Sequence, residues 1–100
     1  MSYQRFIVFE QILQRMQEKI HQNQYVMTLH AEEEMEDDNL SILDVEQAIL
    51  TGSILERQSD RVTGEWKYRI CGITLDNSEA EVIAKLGVTD KVVIITVYLL

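Results

Sequence analysis

Apolar residues recur at Tyr3, Phe6, Ile7, Phe9, Ile12, Leu13, Met16 and Ile20 with Gln, Glu, Arg and Lys between them. That is the 3.6-residue spacing of an amphipathic helix, and it predicts a helix from Ser2 to about Gln22. Its stripe is read as core, with presentation to a partner protein as the alternative. A short β-prone piece at residues 25–29 (YVMTL) follows a polar loop. Residues 30–38 (HAEEEMEDD) then fit two helical turns, with Ala31 and Met35 four apart on the inward side. Ser41-Ile42-Leu43-Asp44 is a capping box that opens another helix with Val45, Ala48 and Ile49 as its stripe. Thr51-Gly52 closes it, Gly52 being able to take a left-handed cap conformation.

Beyond Gly52 the period changes from 3.6 to two. Residues 53–58 (SILERQ) read as a strand, 59–64 as a polar loop, and 65–71 (EWKYRIC) as a clean alternation. Trp66, Tyr68 and Ile70 share one side, and Glu65, Lys67, Arg69 and Cys71 the other. Gly72 is read as a bulge or bend, and Asp76-Asn77-Ser78 as a turn. Residues 80–86 (AEVIAKL) alternate again. Residues 91–100 (KVVIITVYLL) form an almost unbroken β-branched run, the pattern of a central strand buried on both faces. The predicted fold is α+β, with N-terminal helices packed on one face of an antiparallel sheet of about four to five strands. Residues 1–100 make a single domain, of which 1–24 are the amphipathic helix and its loop.

Composition narrows this little. With 46% hydrophobic and 26% charged residues the chain has the balance of a soluble globular domain. The apolar run at residues 6–9 is too short for a signal-peptide core or a membrane span, so a cytoplasmic, membrane-free protein is expected. A lone Cys71 rules out a disulfide framework and a multi-cysteine zinc site, and no cofactor motif is present. The net charge of −8 is uneven: residues 1–50 hold ten acids against three bases, and residues 51–100 seven against six. Such a field opposes tight nonspecific nucleic-acid binding but leaves room for a local basic patch in the second half.

The candidate chemistry is dispersed. His30 opens the acidic helix and carries the one imidazole placed for general acid/base work. Lys67 and Arg69 share a strand face about 7 Å apart, with Arg57 near enough on the next strand to join them; such cations hold phosphate. Their alternative is a solvated face with cross-strand partners such as Glu56. Tyr98 and Thr96 are the polar interruptions of the last strand and lie together on one face. Six of the seven residues 32–38 are acidic, and Glu33, Glu34, Asp37 and Asp38 are the candidates for holding a basic partner. A helix fans its carboxylates outward, so this cluster lacks the loop-like ligand spacing of a Mg²⁺ or Ca²⁺ site.

Tyr25-Val26-Met27-Thr28-Leu29-His30-Ala31, Met35, Leu40-Ser41, Asp44-Val45, Ala48-Ile49-Leu50, Gly52 and Ile54-Leu55-Glu56 together resemble a family of small bacterial proteins of unknown function. Its signature is T-x-H-A-x-x-R-M followed by an I-S-x-x-D-V-x-x-A helix. The likeness continues through Tyr68, Gly72 and residues 94–98. Members look like toxins of toxin–antitoxin pairs with a RelE-like α+β fold, often encoded beside an antitoxin that has a small zinc-finger domain. The resemblance implies metal-independent cleavage of messenger RNA by acid/base chemistry, with His30 on the motif itself. Glu34 stands where the motif has arginine, and Asp38 where a second arginine is frequent, so two cations are replaced by anions.

Two functional expectations follow. One is a toxin-like ribonuclease using His30 as general acid or base, Lys67 and Arg69 on the phosphate, and Tyr98 in support. The other is a non-catalytic module whose acidic helix holds a basic protein.

Overall fold

Thr28 and Ser41 set the starts of two short helices before any tertiary contact is made. The computed structural model describes the backbone of residues 3–100 and the side chains from Phe9 onward. Its elements are α1 (Tyr3–His21), β1 (Tyr25–Met27), α2 (Leu29–Asp37), α3 (Ile42–Thr51), β2 (Ser53–Ser59), β3 (Trp66–Ile73), β4 (Glu79–Leu86) and β5 (Val92–Leu99). Thr28 caps α2 by accepting the Ala31 N–H, and the Ser41–Asp44 capping box is complete at α3. Asn23 and Asn39, both at positive φ, follow the ends of α1 and α2 in the role glycine usually fills.

The strands form one sheet in the order β1-β5-β4-β3-β2. From β2 to β5 it is the expected antiparallel meander. β1 joins the far side of β5 in parallel, from Tyr25 opposite Val92 to Met27 opposite Ile94, which makes the sheet mixed. A parallel neighbour needs a long crossover, and α2, α3 and the meander together supply it.

The helices cover the face carrying Ile70, Ala80, Val82, Ala84, Val92, Ile94 and Val97, all at most 1% exposed. Phe9, Met16 and Ile20 of α1 and Val45, Ala48 and Ile49 of α3 complete this core. Each such large side chain contributes about 2 kcal/mol by leaving water. Of the stripe expected on α1, Tyr3, Phe6 and Ile7 lie outside the described side chains.

Three expectations change. β5 is fully buried only on its helix-facing side, because its other face, with Val93, Thr96 and Tyr98, is half-buried under no helix. Gly72 sits in regular pairing opposite Ala80 and marks no bulge. A Cβ there would overlap the Ala48 carbonyl, so Gly72 is the place where α3 rests directly on the sheet. The bulges lie elsewhere, at Leu55 in β2 and at Ile95 in β5, where the register skips one residue. Gly52 is extended (φ −88°, ψ 177°) rather than left-handed; its missing side chain avoids the Ala48 carbonyl oxygen, 2.6 Å from where a Cβ would sit.

Candidate functional site

Apart from Arg57, the candidate site residues lie on α2 and on the uncovered face of the sheet. β1 stops at Met27 because Thr28 turns the chain into α2, and that leaves the rest of β5 without a strand neighbour on its outer side. The Thr28 hydroxyl donates to the Ile95 carbonyl at 3.1 Å. Six residues further along α2, the Glu34 carboxylate accepts the Val97 N–H at 3.0 Å. A further turn on, Asp38 accepts the Leu99 N–H at 2.9 Å. Residues four apart on a helix rise about 6 Å, close to the two-residue repeat of a strand, so Glu34 and Asp38 meet alternate amides. Two of the four carboxylates read as a partner surface are therefore occupied within the chain.

His30 is solvent-open, its side chain 65% exposed, with Nε2 3.2 Å from the same Glu34 carboxylate. Glu33 and Asp37, with Glu32 and Glu36, project into solvent, and none makes an ion pair among the described residues. Only Glu32 lies in the first turn, where the helix dipole favours an anion, and no base lies in the last turn to offset the acids there.

Lys67 and Arg69 do share the uncovered sheet face. Arg69 is fully engaged: its Nε donates to Glu56 at 2.9 Å and its Nη1 to Glu81 at 2.9 Å. Tyr98 donates to the other oxygen of Glu81. The result is a four-strand chain of polar contacts, Glu56–Arg69–Glu81–Tyr98, in which Glu81 is 6% exposed and buried by its own partners. The two carboxylates hold the Arg69 guanidinium even more firmly protonated than usual. The bond to Glu81, then burial, raise the Tyr98 phenol. Gln58 and Arg69 hold the Glu56 carboxyl below the usual range. Burial and the charges of Glu79 and Glu81 push the neighbouring Cys71 thiol up, away from the reactive thiolate.

The structure thus unites Arg69 with Tyr98 through Glu81 and separates them from the rest. Lys67 pairs with Gln58, two residue rows or about 7 Å from Arg69 and four rows or about 13 Å from the Cys71–Glu81–Tyr98 row along the strands. His30 stands off the β5 edge beside Glu34. Arg57 does not join Lys67 and Arg69, because the bulge at Leu55 turns it to the helix-facing side, opposite Tyr68. There its guanidinium lies 4.0 Å over the Trp66 ring.

Sequence reasoning missed Glu81, the stacking of Arg57 on Trp66 and a bond from the Tyr25 hydroxyl to Glu46 of α3. Burial, then Glu46, pushes the Tyr25 phenol up to about 12. The signal for Glu81 was a lone acid between Ala80 and Val82 in an apolar strand. Among the described residues no group of three His, Cys, Asp or Glu side chains is placed to hold a metal ion, and no helix is long and apolar enough to cross a membrane.

The profile of a domain of unknown function (DUF4258) matches residues 27–99, so the chain belongs to the DUF4258 family. The match runs from the end of β1 through β5 and leaves out α1. No curated protein and no solved structure matches the chain.

Proposed function

We propose that this chain is a non-catalytic protein-binding module that holds a basic partner on the outward side of α2. The observation that carries this reading is the contrast between the two charged surfaces. The arginine meant for phosphate is neutralised by Glu56 and Glu81, whereas Glu32, Glu33, Glu36 and Asp37 point outward without cations among the described residues. A phosphate approaching Arg69 would meet two carboxylates for one guanidinium, while a lysine- or arginine-rich surface approaching α2 would relieve repulsion already present there. The partner fitting the resemblance is an antitoxin with a small zinc-finger domain.

The test is calorimetric titration of a lysine-rich helical peptide into the full chain at low and high salt. Binding should weaken steeply with salt, and by about tenfold or more on replacing Glu32, Glu33, Glu36 and Asp37 by Gln and Asn. Salt-independent binding, or none, refutes the reading.

A second reading, a toxin-like metal-independent ribonuclease, is favoured by one observation: an exposed imidazole close to a carboxylate, His30 Nε2 lying 3.2 Å from Glu34. A histidine beside a carboxylate is a pairing that acid/base catalysis uses. In this reading His30 moves the proton, Lys67 and Arg69 hold phosphate, and Tyr98 supports them. Incubation with mixed RNA in excess chelator, with folded His30→Ala alongside, decides it. Cuts lost in the variant favour the enzyme, and absence of cuts in the native chain removes it.

A further inference from the structure

The two edges of the sheet are finished differently. At β5 the backbone groups of Ile95, Val97 and Leu99 are taken up by Thr28, Glu34 and Asp38. At the other edge β2 pairs with β3 on one side only. Among the described residues, nothing hydrogen-bonds to the outward backbone of residues 54–58. An open edge offers a row of N–H and C=O groups to an added strand. The bulge at Leu55 interrupts that row, which leaves residues 56–59 as its regular run.

Beside this run stand cations without carboxylates. Arg57 is exposed, stacks on Trp66 and, like Arg61 in the hairpin loop, makes no ion pair among the described residues. In a chain of net charge −8 with every other described arginine paired, this is an unusual reserve of positive charge. Trp66, 47% exposed, and Leu55, 48% exposed, add apolar surface to the same edge.

We infer that the β2 edge binds an extended acidic peptide segment by strand addition, its backbone pairing with residues 56–59 and a carboxylate reaching Arg57. The site lies across the sheet from α2 and stands independently of the acidic-helix reading. Charge complementarity sets the sign of the peptide, and the open backbone sets its extended form.

Trp66 is the only tryptophan in the chain, so its emission reports on the site directly. The probe is a synthetic octapeptide of alternating Glu and Val, titrated into the full chain at low salt up to about 1 mM, the weak end of specific association. The expected result is a saturable change in Trp66 emission with slowed amide exchange at residues 56–59. Arg57→Gln, which removes the charge but keeps a polar side chain, should weaken it about tenfold. N-methylating either alternating set of peptide amides tests the backbone pairing, and one of the two should abolish binding while leaving charge intact. No saturation, equal binding by both methylated peptides, protection at another element, or an equal response to poly-uridine RNA would each overturn the inference.

Discussion

Replacing Glu34 by alanine tests whether a side chain closes the β5 edge. The substitution leaves the Val97 N–H without its acceptor at 3.0 Å, in a residue that is fully buried. A hydrogen bond to a charged group is worth about 1.5–3 kcal/mol net. The Glu34 side chain is 23% exposed, so water can partly replace it and the low end applies. Relief of repulsion with Asp38 four residues on returns about 0.3–0.5 kcal/mol. The expected loss is therefore about 1–1.5 kcal/mol, which for a domain of this size lowers Tm by roughly 5–10 °C. Urea denaturation should show a lower midpoint with an unchanged slope, and hydrogen exchange at Val97 should accelerate more than at Val82 in β4. Glu34→Gln keeps an acceptor and should cost less than half as much. An unchanged midpoint with unchanged Val97 exchange would refute the reasoning, and an equal loss in the Gln variant would move the effect from the hydrogen bond to the charge.

Gly72→Ala forces a methyl into the Ala48 carbonyl and should cost about 3 kcal/mol or prevent folding, read by thermal melting. Asp44 caps α3 through the Ser41 N–H and also accepts the Leu75 N–H at 3.1 Å, so Asp44→Ala should cost about 2 kcal/mol in urea denaturation. These bonds hold the Asp44 carboxyl below its ordinary 3.8. Its stabilisation is thus complete above that value and is lost as pH falls through the lower folded value, a dependence that Asp44→Asn should flatten. At the alkaline end Tyr25 moves from 10.0 to about 12, so its contribution is intact below pH 10 and fades as pH rises to about 12. Absorbance titration at 295 nm should show a late-ionising tyrosine that disappears in Tyr25→Phe.

Elements whose cause is local were legible in the sequence. The capping box at Ser41, the alternation through β3 and the stripe of α3 arise from neighbours within a few residues, and they fold as their spacing demands. What was not legible depends on register. Arg57 and Arg69 are both cations on adjacent strands, and only the one-residue bulge at Leu55 sends them to opposite faces. Gly72 looked like a break in its own strand, yet its reason is a helix more than twenty residues earlier in the chain. Glu81 was passed over because a glutamate within a strand ordinarily faces water, whereas its surroundings are supplied by β3 and β5. The ends of α1 and α2 were legible to within a residue although no glycine marks them; the left-handed residues that follow them are Asn23 and Asn39.

Glu34 and Asp38, the two acids at positions where the resemblance led to an expectation of arginine, have a structural cause. A five-stranded sheet whose first strand is only three residues long leaves the outer edge of half of β5 without a strand. Backbone N–H groups there need acceptors, which Glu34 and Asp38 have and arginine lacks. With arginine at either position, Val97 or Leu99 would turn to water or to a longer β1. The anions at 34 and 38 are therefore part of how this chain ends its sheet, and the charge they add to α2 follows from that. Only Glu32, Glu33, Glu36 and Asp37, which contact no described cation and close no edge, are left for recognition to explain.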